Sequence, residues 1–492
     1  MFYSILGGTP IQKKELAAFF EDFNINGLIS RARSLDRESD LTPLYQYMPE
    51  SKEEIRFRRS VTEDLLNEAI HQAFSLYVRR IQEVKSLAKM GEFCGIPLQE
   101  KKYHLDELYH FHRALSELEQ VLVREAKGFA IRELLDYISD YKASKEFQTW
   151  SSKVLELEEK IQGQTRYFSV SKNRVLVEDA PEEESVENRF ARVFSFEEKK
   201  EEKTFDKRDR ITLLEMRLAE RIVDREKLDK PLSSLKKFQP NQVLMHMAEE
   251  LPLYLSFFKV KKQLEEMGYE FCLPKEGESL EVQEGFDLGM ALQSWEKNVV
   301  SNSFQMREGE HFLVVTGANG GGKTTFARML GQVVYLSQMG LLVPAREASL
   351  PFYDGIFSHF SKEESTDTGR GKLKEELERL APLMQEQKSN VFVVLNELFT
   401  TAASYDAEVM GNRVIDHFLE KNCTGIYVTH IQGLAKERPG IVSLVAELAG
   451  DHHTRTFLMA RKPADQGEYE DSIISKYDMI YDRMKEVVGG GK

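Results

Sequence analysis

Between an apolar run and a helical run, the segment VVTGANGGGKTTFARML places Gly317-x-x-x-x-Gly322-Lys323-Thr324. Glycines at this spacing let the backbone curl so that successive N–H groups face a β-phosphate, and the helix that follows adds its positive end. Lys323 is then placed to bridge β- and γ-phosphates, and the Thr324 hydroxyl to ligate Mg²⁺. The bland alternative is a glycine-rich turn without a ligand. On the functional reading the cradle comprises Gly317, Ala318, Asn319, Gly320, Gly321, Gly322, Lys323, Thr324 and Thr325.

Further along, VFVVLNELFT carries five apolar residues and then Asn396 and Glu397. In nucleotide-hydrolysing sites the first position is usually an acid that holds the metal's water shell, and the next acid polarises the attacking water. Glu397 suits the second role. Asn396 offers only a neutral carbonyl oxygen for the first, so weaker metal binding is expected. It is not abolished, because Mg²⁺ keeps most of its waters and also leans on Thr324 and phosphate oxygens. A third run, TGIYVTHIQGLA, ends in Thr429-His430, where a histidine can hydrogen-bond a γ-phosphate or the attacking water. A lone histidine is more often incidental, but the order of the three motifs favours a role. The expected catalytic residues are Glu397, His430 and Lys323, the metal-side residues Thr324 and Asn396, and the cofactors ATP and Mg²⁺.

The elements that must position these residues follow from periodicity. HFLVVT, VFVVLN and TGIYVT read as buried parallel strands, each followed by turn residues and a helix. Upstream, Val61, Leu65, Ile70, Phe74, Tyr77, Ile81, Val84 and Leu87 advance by three to five with charges between them, which predicts one long amphipathic helix. Similar patterns make residues 46–270 mostly helical. One stretch from Thr165 switches toward alternation, with Lys172-Asn173 as a turn, and predicts a small β-rich insert near residues 165–197 at the far end of a helical hairpin. The expected architecture is α plus α/β and multidomain: an N-terminal segment 1–45, a helical region 46–270 with the insert, and a P-loop nucleotide-binding domain 271–492 with a C-terminal helix.

A chain of 492 residues exceeds what one core serves, so several domains are expected. The net charge of −14 argues against a surface broadly adapted to polyanions, so any DNA contact should be local. Arg56, Arg58, Arg59, Arg79 and Arg80 could form such a surface, but arginines on amphipathic helices are usually solvated, and none is assigned a contact. No signal peptide is read at the N-terminus, and no apolar run is long enough to cross a bilayer. Cys94, Cys272 and Cys423 are too few and too far apart for a disulfide framework or a zinc site. A cytoplasmic location fits.

The three motifs together resemble the MutS family of ABC-type ATPases. TGANGGGKTT is similar to the family's phosphate loop, with Asn319 in its distinctive asparagine position. Val343-Pro344-Ala345 and Asp354-Gly355-Ile356-Phe357 match two further family stretches, TDTGRGKLKEEL its signature region, and Ser404-Tyr405-Asp406 the tail of its second motif. EGFDLGM and NVVSNSFQM occupy the places of its lead-in strands. The resemblance implies a homodimeric or heterodimeric ATPase, expected here to be a homodimer, in which nucleotide lies between one subunit's phosphate loop and its partner's signature. It also implies core and lever helices, a clamp at the insert, and closure around DNA coupled to ATP state.

Three departures qualify this. Only about forty-five residues precede the lever helices, so the mismatch-reading domain is expected to be missing; Phe19-Phe20-Glu21 resembles the family's Phe-x-Glu wedge only superficially. Gly369-Arg370-Gly371 lacks the signature serine, and Asn396 replaces an acid. No C-terminal nuclease domain is read. The leading expectation is a dimeric, DNA-binding, ATP-dependent clamp that does not read mismatches by itself. The alternative is a nucleotide-gated scaffold for protein or ribonucleoprotein with little hydrolysis. A chromosome-organising coiled-coil ATPase fits less well, because the helices all precede the phosphate loop.

Overall fold

The computed structural model describes residues 2–8, 17–36, 39–162, 166–171, 174–179, 225–294, 298–361, 372–385, 388–449 and 454–464. These form two compact units, one of residues 1–71, 127–132 and 249–492, the other of residues 72–126 and 133–248. Both are discontinuous in sequence, which a division by composition does not capture. The first unit groups residues 46–71 and 249–270 with the C-terminal half of the chain.

The helices run α1 (Phe19–Asp22), α2 (Ile25–Leu35), α3 (Leu41–Gln46), α4 (Lys52–Asp64), α5 (Glu68–Cys94), α6 (Pro97–Glu125), α7 (Phe129–Ala143) and α8 (Lys145–Gln162). A hairpin of β1 (Arg166–Ser171) and β2 (Arg174–Asp179) follows, then α9 (Arg225–Ser233), α10 (Gln242–Glu250) and α11 (Pro252–Glu266). The strands of the hairpin pair antiparallel with Ser171 opposite Arg174, leaving two residues between them. This hairpin falls within the β-rich insert expected near 165–197, of which residues 180–197 lie outside the described residues.

The long helix expected from Val61 to Leu87 is two helices. Its apolar register holds, since Val61, Leu65, Ile70, Phe74, Tyr77, Ile81 and Val84 are all buried. The break at Leu65–Asn67 has a long-range cause: the buried Asp64 carboxylate accepts the backbone N–H of Lys127 at 3.1 Å and of Gly128 at 2.9 Å. Asn67 Oδ1 then caps the new helix by accepting from the Ala69 N–H at 2.9 Å. In the second unit, Leu105, Leu108, Phe111, Leu115, Leu118 and Leu122 form the buried stripe of α6, and Trp150 is fully buried. Tyr77 Oη donates to Leu244 O at 2.9 Å. Arg58 is not solvated: its guanidinium is fully buried and donates to Leu6 O at 2.9 Å and Tyr47 O at 3.0 Å.

The C-terminal part of the first unit is built on two sheets. Its strands are β3 (Lys275–Glu276), β4 (Glu281–Gly285), β5 (Asn302–Gln305), β6 (Phe312–Thr316), β7 (Glu347–Leu350), β8 (Ile356–Phe360), β9 (Phe392–Asn396), β10 (Thr424–Val428), β11 (Ile441–Leu448) and β12 (Arg455–Arg461). Between them lie α12 (Leu288–Ala291), α13 (Lys323–Gln338), α14 (Lys372–Gln385) and α15 (Ser404–Glu420). The larger sheet has the order β12-β11-β6-β10-β9-β8, with five parallel strands and an antiparallel β12 at one edge. The three expected strands are β6, β9 and β10, adjacent, parallel and buried along their whole length. That burial is why they read as continuous apolar runs rather than alternating ones. Phe312, Val314, Val393 and Leu395 share one core with Leu380 of α14 and with Val414, Ile415 and Phe418 of α15. A smaller sheet, β3-β7-β4-β5, accompanies it.

The N-terminal segment belongs to this same unit. Phe19 and Phe20 are buried, with ring centroids 5.8 and 5.6 Å from that of Tyr335 on α13, so these two rings are core rather than a wedge, while Glu21 is exposed. Asp22 O accepts from Arg328 Nε at 3.0 Å, and Phe23 O from Gln332 Nε2 at 2.9 Å.

Candidate functional site

The carboxyl ends of three adjacent parallel strands converge, which is where open α/β sheets hold ligands. β6 ends at Thr316 and releases the glycine loop, β9 ends at Asn396, and β10 ends at Val428 just before Thr429-His430. The loop takes its shape from glycine. Gly317, Gly320 and Gly322 have φ of 113°, 68° and 90°, in the region that disfavours side chains. Space is also short: a Cβ on Gly317 would stand 3.0 Å from the Ala446 amide nitrogen, and one on Gly321 3.0 Å from Ala318 O. Gly322 leads directly into α13, whose free N–H groups and dipole face the loop.

Lys323 is buried and its ammonium donates to Gly317 O at 2.8 Å and Ala318 O at 3.0 Å. Burial lowers its pKa, the charge of Glu397 opposes that, and the charge of Arg455 adds to it. Thr324 Oγ1 donates to Asn396 Oδ1 at 3.2 Å, so the two expected metal-side residues meet. His430 Nε2 lies 3.0 Å from Glu397 Oε1, bringing two of the three expected catalytic side chains into contact. Glu397 is held by its own amide, which donates to Val428 O at 2.9 Å. Thr325 Oγ1 sits 3.7 Å from Met290 Sδ. Ala318 is buried beneath the loop, while Asn319 and Gly320 line the open side.

Of the expected site residues, Asn319, Gly320, Gly322, Lys323, Thr324, Thr325 and Glu397 line a cleft of about 330 Å³, within the range of small-molecule sites, while Gly317, Ala318, Gly321, Asn396 and His430 do not line it. Its lining also includes Asp287 and Met290 of EGFDLGM, Asn298, Val299, Val300 and Asn302 of NVVSNSFQM, and Phe457, none of which was assigned a site role. Asp287 caps α12 by accepting from Met290 N at 2.9 Å, and Gln332 of α13 bonds both Asp287 Oδ1 and the Leu288 amide. Asn302 spans to β12, donating to Phe457 O at 3.0 Å and accepting from Met459 N at 2.9 Å. Phe457 itself has φ of 61° and a half-exposed ring against Gly322. The Arg455 guanidinium lies beside Gly320, where a Cβ would stand 3.3 Å from its Cζ. The lead-in stretches EGFDLGM and NVVSNSFQM were visible as strands and lead-in only. Nothing in the spacing of β12 marks Arg455 or Phe457, since an irregular strand has no sequence period to read.

The donor set fits a magnesium nucleotide. A glycine cradle closed to any Cβ, a buried lysine on backbone carbonyls and a hydroxyl–amide pair at the strand ends are the groups that polyphosphate and a hard cation need. Gly369, Arg370 and Gly371 lie outside the described residues, as does the expected C-terminal helix. Among the described residues no helix is long and apolar enough to cross a membrane.

Comparison with known proteins agrees with this geometry. Residues 313–472 match the family model "MutS domain V". The chain is 30% identical to the DNA mismatch repair protein MSH3 of Arabidopsis thaliana over 175 residues, 35% of this chain and 16% of that protein. It is 27% identical to the DNA mismatch repair protein MutS of Thermus aquaticus over 239 residues, 46% of this chain and 28% of that one. It is 29% identical to the endonuclease MutS2 of Thermus thermophilus over 161 residues, 32% of this chain and 22% of that protein. The aligned region thus spans less than a third of each of these relatives. The matched residues contain all but the first residue of β6, the glycine loop, β9 with Asn396 and Glu397, and β10 with His430, so this part of the chain is similar to MutS domain V.

Proposed function

We propose that the protein binds ATP with Mg²⁺ and hydrolyses it, using a P-loop domain within residues 271–492, and that nucleotide state governs its binding to DNA as a homodimeric clamp. The observation that carries the reading is the meeting of Lys323, Thr324, Asn396, Glu397 and His430 at the ends of β6, β9 and β10. Gly317 to Gly322 would present backbone N–H groups to the phosphates. Lys323 would leave the Gly317 and Ala318 carbonyls for the β- and γ-phosphates. Thr324 and Asn396 would hold Mg²⁺, Asn396 through a water, and the ion would supply Lewis acidity at the phosphates. Glu397 would orient and polarise the attacking water, with His430 steadying its carboxylate. DNA binding, dimerisation and a cytoplasmic location rest on the family. The relatives' names refer to mismatch repair and, for one, endonuclease activity.

A second reading, a nucleotide-gated scaffold for protein or ribonucleoprotein with little hydrolysis, is favoured by one observation. The strand-end residue beside Thr324 is an amide and not a carboxylate.

Steady-state ATP turnover with Mg²⁺, with and without plain, branched or mismatched duplex DNA, separates the two. Wild type should exceed both Glu397→Gln and Lys323→Ala, and Lys323→Ala should also lose nucleotide binding. Turnover no higher than Glu397→Gln with every DNA would sink the ATPase. Absence of retention in a low-salt gel shift, with or without nucleotide, would sink the DNA partner.

A further inference from the structure

The loop that carries Glu397 is conformationally expensive. Glu397 and Phe399 have φ of 55° and 62°, so two non-glycine residues within three positions occupy the left-handed region. For a bulky residue such as phenylalanine this is a true outlier, and it persists only where the surroundings over-determine it. Three contacts do so. The Glu397 amide donates to Val428 O at 2.9 Å, and the Phe399 ring is buried in the core shared by β9, α14 and α15. The third comes from outside the strands: the Phe399 amide donates to Glu376 Oε2 at 3.0 Å.

Glu376 stands on α14, and α14 is itself tied to the strand ends. Leu380 sits within the core that holds Leu398 and Phe399, with Leu373, Leu383 and Met384 packed against it. Arg379 Nη2 donates to Phe360 O at 3.0 Å, at the end of β8. The helix therefore holds the end of β8 through Arg379 and the loop after β9 through Glu376. Lys372, its first residue, follows Gly371 directly, and Glu376 lies about 6 Å further along the axis, at 1.5 Å per residue.

We propose that Glu376 is a positioning residue: by holding the Phe399 amide it fixes the left-handed turn that presents Glu397 to the cleft, so that the seating of α14 sets the rate of hydrolysis. This rests on Glu397 acting as the water-polarising group. A carboxylate suits the task because it accepts one amide strongly, and Glu376 is not among the residues that line the cleft. A shift of α14 along its axis would withdraw the acceptor, and the turn at Phe399 would then be free to relax toward ordinary backbone.

The test uses the full chain with Glu376→Ala and Glu376→Gln, the glutamine keeping an acceptor oxygen at the same place. Amide hydrogen exchange across residues 397–402, nucleotide affinity and ATP turnover are measured on each. Glu376→Ala should lower protection of the Phe399 amide and kcat each by about tenfold or more, with nucleotide affinity within about twofold of wild type. Glu376→Gln should recover most of both losses. Wild-type exchange and kcat in Glu376→Ala would overturn the proposal. So would an equal loss in both variants accompanied by loss of nucleotide binding, which would make Glu376 merely structural. If wild type itself does not turn over, the ATPase reading fails and the exchange measurement alone decides whether Glu376 holds the loop.

Discussion

Asn396→Asp should change the sign of its own effect when ligand is added. Asn396 is buried, and its Oδ1 accepts one hydrogen bond, from Thr324 at 3.2 Å. A carboxylate there without a metal gains one charge-assisted bond, but Lys323 is engaged with backbone carbonyls. An under-compensated buried anion costs about 1–3 kcal/mol. In a unit of this size that lowers Tm by roughly 1–2 °C per kcal/mol. With Mg²⁺ and nucleotide the same carboxylate accepts from the metal's water shell. Bonds to charged acceptors exceed neutral ones by about 1–1.5 kcal/mol, so half-saturation by Mg²⁺ should fall by about tenfold. Thermal unfolding with and without Mg-nucleotide, and ATP turnover across a Mg²⁺ titration, measure both halves. An Mg²⁺ dependence identical to wild type would refute the placement of Asn396 on the metal side. A variant equally destabilised with and without ligand would do the same.

His359 on β8 is buried, and burial together with the charge of Arg379 holds its pKa down at about 4. Its ordinary value is 6.5, so the unfolded chain binds the proton first. The stability it protects is present above pH 6.5 and is lost as the pH falls toward 4, by about 3 kcal/mol in full. Chemical denaturation from pH 7 to 4 should show this slope in wild type and less of it in His359→Phe; parallel curves would contradict it. Arg455→Ala should weaken ATP binding by about two- to fivefold, more at low salt than at high, as expected for a half-screened cation beside the loop. Titration with a fluorescent ATP analogue at two ionic strengths checks this, and unchanged affinity would remove Arg455 from the site. At Gly331 a Cβ would stand 2.8 Å from the Phe23 ring, so Gly331→Ala should lose about 1–2 kcal/mol by denaturant titration despite the better helix propensity of alanine. A gain would mean that Phe23 can yield.

What the sequence disclosed is what depends on neighbours along the chain. The glycine loop is recognisable because its geometry is local, and β6, β9 and β10 because central parallel strands are apolar on both faces. The strand order then places Asn396 against Thr324 and His430 against Glu397, two neighbourhoods that the order of the motifs suggested. The break between α4 and α5 was not, because it is fixed by Asp64 reaching backbone amides 63 and 64 positions away. Arg58 looked like a solvated helix cation, and only Leu6 O and Tyr47 O, brought to it by the fold, explain its burial. The wall formed by Asn302 and Phe457 joins strands 155 residues apart, and no periodic pattern connects them.

The discontinuity of the first unit has a consequence for how the protein is made. Ser4 Oγ donates to the Glu250 carboxylate at 2.8 Å, and Asp22 Oδ2 accepts from Ser358 Oγ at 2.6 Å, pairs separated by 246 and 336 residues. On the ribosome, Phe19, Phe20 and Phe23 emerge early, and at 5–20 residues per second their partners on α13 arrive roughly 15–60 seconds later. For that interval an aromatic cluster has nothing native to bury against, while the helices of the second unit, within residues 72–126 and 133–248, have already been made. Folding of the nucleotide-site unit is therefore a late, high-contact-order event, and its N-terminal aromatic segment is the part of the nascent chain most in need of a chaperone.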